Sequence, residues 1–114
     1  PFALSSAQEA MMSLEADIQE IVRRIVALAQ PDRVILFGSA ARGDAAPDSD
    51  LDLLIIKSGI HRRRLAMELY EALADIGRPV DLIVATPEDI ERYGKSPALV
   101  LEPALREGKV LYAA

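Results

Sequence analysis

Apolar residues in the first quarter of the chain recur at intervals of three and four. Leu14, Ile18, Ile21, Val22, Ile25 and Leu28 form one stripe, which predicts a single amphipathic helix from about Ser6 to Ala29. Ser5 or Ser6 suits the N-cap, Glu9 falls in the first turn, and Pro31 forbids continuation. The pattern then changes to short unbroken apolar runs, as in strands buried on at least one face. Such runs predict strands at about Arg33 to Phe37, Leu51 to Lys57 and Val80 to Val84. Between the first two, Ser39 to Arg42 reads as a short helical turn stopped by Gly43, followed by a polar loop over 44–49 that contains Pro47.

Helical spacing returns at about His61 to Ile76, with Leu65, Leu69, Leu73 or Ala72, and Ile76 as its stripe. Gly77 and Pro79 close that segment. Thr86-Pro87-Glu88 is a strong helix start, with Thr as cap, Pro in first position and acids after it. This helix is expected to end near Gly94. Residues 97–107 read as helical with Pro103 as a point of interruption, and Lys109 to Tyr112 as a short final strand. The order is helix, strand, turn, strand, helix, strand, helices. It predicts an α/β (α+β) fold, a small mixed sheet with helices packed on it. No repeat, linker or low-complexity stretch divides the chain. The expected organisation is one domain over 1–114, with an N-terminal helix at about 6–29, a core at about 33–85 and C-terminal helices and a short strand at about 87–112.

Composition narrows the function classes. A chain of 114 residues, half of them apolar, supports one modest core. No apolar run approaches the ~20 residues that span a bilayer. No basic stretch followed by an apolar one opens the chain, so no signal peptide is expected. There is no cysteine and a single histidine, which excludes disulfides and thiolate sites and disfavours zinc. The expected location is the cytoplasm. A net charge of −5 argues against general nucleic-acid binding.

The candidate chemistry lies around the first two strands. Gly38-Ser39 follows the first, and Asp50-Leu51-Asp52 opens the second ten residues later. Glycine admits a phosphate to the backbone, Ser39 adds a hydroxyl donor, and backbone N–H groups follow. A plain turn also uses Gly-Ser. Asp50 and Asp52, two positions apart, lie on one face of an extended segment, ~6.6 Å apart. Paired carboxylates can hold two metal ions ~3.5–4 Å apart, and hard cations such as Mg²⁺ take oxygen ligands. Asp-x-Asp is also a common polar strand start. A phosphate cradle beside a carboxylate pair is what chemistry on a nucleoside triphosphate requires.

Asp81 interrupts the third apolar run. A buried carboxylate there must neutralise, pair or bind a metal. If the second and third strands are neighbours, Asp81 stands beside the Asp50 and Asp52 pair. The alternative is an edge strand with Asp81 facing water, or an ion pair with Arg78. Arg42 has two readings, a phosphate contact or a solvated cation at the end of its turn. His61, Arg62, Arg63 and Arg64 form a basic run at a helix start, either a solvated face or a contact for an acidic partner or RNA. A solvated face is the usual role of such a run; cations at a helix N-terminus oppose its dipole, which is a mild reason to look for an external partner. Tyr70, Tyr93 and Tyr112 read as packing.

The pattern Gly38-Ser39-x10-Asp50-x-Asp52 with a later Asp81 resembles the nucleotidyltransferase fold shared with DNA polymerase beta. The Gly-Ser-Ala-Ala-Arg-Gly-Asp context and the small size resemble the minimal nucleotidyltransferases, often antitoxin partners of HEPN-domain RNase toxins. The resemblance covers about Arg33 to Ala85. It implies that Gly38 and Ser39 hold the nucleotide phosphates. It implies that Asp50 and Asp52 bind Mg²⁺, with Asp81 as third metal ligand or as general base. The implied activity is transfer of AMP from ATP to a hydroxyl of a HEPN-type toxin. Alternatives are an antitoxin that only binds its toxin and an adenylyltransferase for a small molecule. A chain this short has no room for the further domains of the larger relatives, so polymerase or tRNA-tailing activity is not expected of it, and its net charge of −5 gives no expectation of direct nucleic-acid binding. A second pocket wall would come from a partner or another copy.

Overall fold

Ser5 opens the first helix through a reciprocal pair of hydrogen bonds. Its hydroxyl accepts from the Gln8 backbone N–H at 3.1 Å, and its own N–H donates to Gln8 Oε1 at 2.8 Å. These are two of the N-terminal N–H groups that a helix leaves unpaired. The computed structural model describes residues 3–43, 50–93 and 101–114. Helix α1 runs Ser6–Ala29 and ends at Gln30, whose left-handed φ of 46° precedes Pro31. Its buried stripe is Leu14, Ile21, Ile25 and Ala29. Ile18 and Val22 are half-buried against the same core. Leu28, expected in the stripe, lies 44% exposed, because Ala29 and Ile25 already fill the inward positions of the last turn.

The remaining elements follow in the order predicted from the patterning. They are β1 (Arg33–Phe37), α2 (Ser39–Arg42), β2 (Leu51–Ile56), α3 (Arg62–Leu73) continued by a 3₁₀ turn (Ala74–Ile76), β3 (Val80–Ala85), α4 (Pro87–Tyr93), α5 (Leu101–Glu107) and β4 (Lys109–Ala113). The expected loop over 44–49 and the expected end of α4 near Gly94 lie outside the described residues, as does the start expected at Pro97. Pro103 does not interrupt α5, since it sits in the first turn, where a missing N–H costs no helical bond. Thr86 and Asp89 cap α4 reciprocally: Thr86 Oγ1 accepts from the Asp89 N–H and Asp89 Oδ2 from the Thr86 N–H.

The four strands form one sheet in the order β3-β2-β1-β4. β2 and β3 are parallel, while β1 runs antiparallel to β2 and to β4. Alternation splits β2 between two faces. Leu51, Leu53 and Ile55 join Val34 and Leu36 under α1 and α3, whose Leu65, Leu69 and Leu73 complete that layer. Leu54 and Ile56 join Ile35, Ala85 and Ala104 of α5 on the other face. Each fully buried Leu or Ile contributes roughly 1.5–3 kcal/mol. This burial on both faces explains why β2 reads as an almost continuous apolar run. Among the described residues, no helix is long and apolar enough to cross a membrane.

Candidate active site

β1 and β2 deliver their polar ends to the same edge of the sheet. Phe37, the last residue of β1, is the register partner of Asp52, the second residue of β2. Gly38 follows with φ 74° and ψ −155°. A side chain there is disfavoured twice. The dihedrals lie outside the usual range for L-residues, and a Cβ would collide with Asp52 Oδ2. Gly38 thus brings bare backbone against the Asp52 carboxylate.

Ser39 then begins α2. This is a single turn of four residues, with the Arg42 N–H donating to the Gly38 carbonyl at 3.3 Å. One turn generates little macrodipole, so any anion affinity rests on individual N–H groups and the Ser39 hydroxyl. Ala40 and Ala41 pack against the larger core layer and hold the turn down.

Asp81 reaches the same neighbourhood through register. Asp52 and Asp81 are paired positions of the parallel strands β2 and β3, and residues paired this way share a face ~4.8 Å apart. The Leu51 N–H donates to the Pro79 carbonyl at 3.1 Å and fixes the start of that register. Asp50 stands just before β2, exposed to solvent.

Electrostatics link these groups. The Asp52 carboxyl is pushed above its ordinary value, first by burial, then by the charges of Asp81 and Asp50, with Arg42 pulling the other way. Asp81, Asp50 and Arg42 therefore all act on the Asp52 carboxyl.

Asp81 itself is exposed, which corrects the expectation of a buried carboxylate. β3 is an edge strand, so an apolar run there does not imply burial of every position. The desolvated acid is Asp52. Arg78, considered as an ion partner for Asp81, reaches Asp17 Oδ2 of α1 at 2.9 Å. That contact, 61 residues apart in sequence, has no local sequence signal. Tyr70, read as packing, also accepts a hydrogen bond from the Leu82 N–H of edge strand β3 at 2.9 Å. Of the basic run, His61 caps α3 by accepting the Arg64 N–H, and Arg62 pairs with Asp89 at 2.9 Å.

The donor set is all carboxylate oxygen, with like charges close enough to raise Asp52. This chemistry fits a hard divalent cation. Among the described residues, no group of three or more His, Cys, Asp or Glu is arranged to hold a metal ion by itself. Mg²⁺ typically uses one or two carboxylates and completes its shell with water and substrate phosphate.

Comparison with known proteins places this geometry. The profile of the family described as Polymerase beta, Nucleotidyltransferase matches residues 17–114. A Methanocaldococcus jannaschii protein with the provisional name of protein adenylyltransferase is 34% identical over 74 residues, 58% of this chain and 49% of its own length. The chain thus spans about half of that relative. A solved structure provisionally described as a minimal nucleotidyltransferase is 30% identical, covers 95% of this chain and 98% of its own, and superposes with a TM-score of 0.54. A toxin-antitoxin structure with AMP-PNP shares the fold at 24% identity and a TM-score of 0.52, over 88% of this chain and 73% of its own.

Proposed function

The chain belongs to the polymerase beta nucleotidyltransferase family, and we propose that it transfers AMP from ATP to a hydroxyl of a HEPN-type toxin protein, as the antitoxin of a toxin-antitoxin pair. The register pairing of Asp52 with Asp81, beside the bare backbone of Gly38, carries this reading. The protein-adenylyltransferase name of the Methanocaldococcus relative supports the reaction, and the AMP-PNP toxin-antitoxin structure supports the setting.

In this reading Gly38 and Ser39 take the triphosphate, through backbone N–H groups and the Ser39 hydroxyl. Arg42 offers a guanidinium to a phosphate oxygen. Asp50 and Asp52 would hold Mg²⁺, which when bound neutralises charge on the phosphates. The acceptor oxygen forms its bond to the α-phosphorus. The bond to the bridging oxygen breaks, and pyrophosphate leaves with the electron pair. Asp81, exposed and beside Asp52, takes the proton of the acceptor hydroxyl. Asp52, held half-buried, keeps the carboxylates in fixed relation as charge moves.

The test is mass spectrometry of a co-expressed small helical RNase partner. Added AMP mass with the wild-type chain, absent with Asp52→Ala, supports the reading. An unmodified yet neutralised partner would reduce the chain to a binder.

A further inference from the structure

We propose that the basic hollow at the start of α3 docks an acidic segment of a partner protein that also carries an apolar anchor side chain. The hollow holds about 720 Å³, with Ile60, Ala66 and Val84 on its apolar side and His61, Arg62 and Arg63 on its basic side. A second groove of about 310 Å³ shares His61 and Arg63 and runs past Arg64 and Met67 to Glu68 and Glu71.

Its charge is out of keeping with the chain. The protein carries −5 overall, yet four basic residues stand consecutively here. They crowd a helix N-terminus, where the dipole already opposes cations. Arg62 is paired with Asp89. Among the described residues, neither the Arg63 nor the Arg64 guanidinium has a carboxylate partner. Guanidinium forks match carboxylates bidentately, so an external acidic segment supplies the missing charge.

The lining favours protein over nucleic acid. Among the described residues, no aromatic side chain lines either hollow, so a single strand finds no stacking platform there. Met67, 60% exposed beside the arginines, offers an adaptable apolar contact.

The surface is separate from the carboxylate site. Val84 lies three positions beyond Asp81 along β3, ~10 Å away, and alternation puts it on the opposite face of the sheet. The inference therefore goes beyond nucleotide transfer, and its test contains no ATP.

Fluorescence polarisation of the full chain against three labelled probes decides it: a short peptide of repeated Glu-Glu-Leu, a Glu-only peptide of equal length, and an oligouridylate. The Glu-Glu-Leu peptide is expected to bind best, and less well as salt rises. Arg63→Glu with Arg64→Glu should weaken it by about tenfold or more. Met67→Ser should remove the advantage of the Glu-Glu-Leu peptide over the Glu-only one. Thermal melts confirm that each variant is folded, and Arg63→Ala with Arg64→Ala replaces the reversal if it is not. Three results overturn the proposal: no peptide binding, equal binding by wild type and arginine variants, or tighter binding of the oligouridylate lost in those variants.

Discussion

Asp52 and Asp81 are register partners on parallel strands, yet only Asp52 is withdrawn from water. β2 is central and β3 is an edge, so equivalent positions on one face receive different solvation. Asp52 bears the cost of burial and of its neighbours' charges.

That asymmetry makes Asp52 a pH-dependent liability of the chain without ligand. An acid whose pKa is higher folded than unfolded destabilises the fold once ionised. The penalty is absent below the ordinary carboxylate range, grows as pH rises through the folded value, and is complete above it. Asp52→Asn is therefore expected to stabilise the ligand-free chain at neutral pH, with the gain vanishing in acid. Urea titrations at several pH values measure it. A variant less stable than wild type at neutral pH would refute the electrostatic account.

Nucleotide should reverse the ranking. With Mg²⁺ and ATP present, wild type is expected to melt at a higher temperature, since a ligand bound only by the folded state adds stability. Asp50→Ala and Asp52→Ala should show little or no such rise. Equal shifts in all three proteins would remove these carboxylates from the site.

Gly38 and Ser39 should differ in kind. Gly38→Val places a branched side chain at φ 74°, with its Cβ driven into Asp52 Oδ2. It is expected to lower stability by about 1–3 kcal/mol and to abolish ATP binding. Ser39→Ala removes one hydroxyl and should weaken ATP by about 1–3 kcal/mol, with the fold unchanged. Calorimetric titration alongside thermal melts separates the two. Normal ATP affinity in Gly38→Val would move the phosphate site elsewhere.

Much of this arrangement is legible in the sequence, and the illegible part has a physical cause. The helix stripe, the apolar strands and the Gly38-to-Asp52 arc are local patterns of period or spacing. The exposure of Asp81 is not local, because it depends on β1 taking the middle of the sheet and β3 its edge. A strand of Val-Asp-Leu-Ile-Val-Ala composition reads the same in either place. The contact of Asp17 with Arg78 is equally hidden, since both residues look like ordinary surface charges on their own segments. The role of His61 as cap of α3 is masked by the three arginines after it.

The Asp17–Arg78 pair leads to the last prediction. Arg78 is 10% exposed and Asp17 29%, so the contact is better shielded than a surface ion pair. Arg78 immediately precedes Pro79, whose carbonyl accepts the Leu51 N–H at the start of the β2–β3 register. The pair thus ties α1 to the point from which Asp81 is placed opposite Asp52. Asp17→Asn removes the charged partner of a well-shielded ion pair and is expected to cost about 1–3 kcal/mol of stability. It should also lower the rate of AMP transfer more than it weakens ATP binding, because Gly38 and Ser39 belong to a different segment. Asp17→Glu should restore much of both, the carboxylate being retained. Single-turnover rates, ATP titrations and urea denaturation on the three proteins distinguish positioning from bulk stability. A rate unchanged in Asp17→Asn while stability falls would make the pair a structural tie alone.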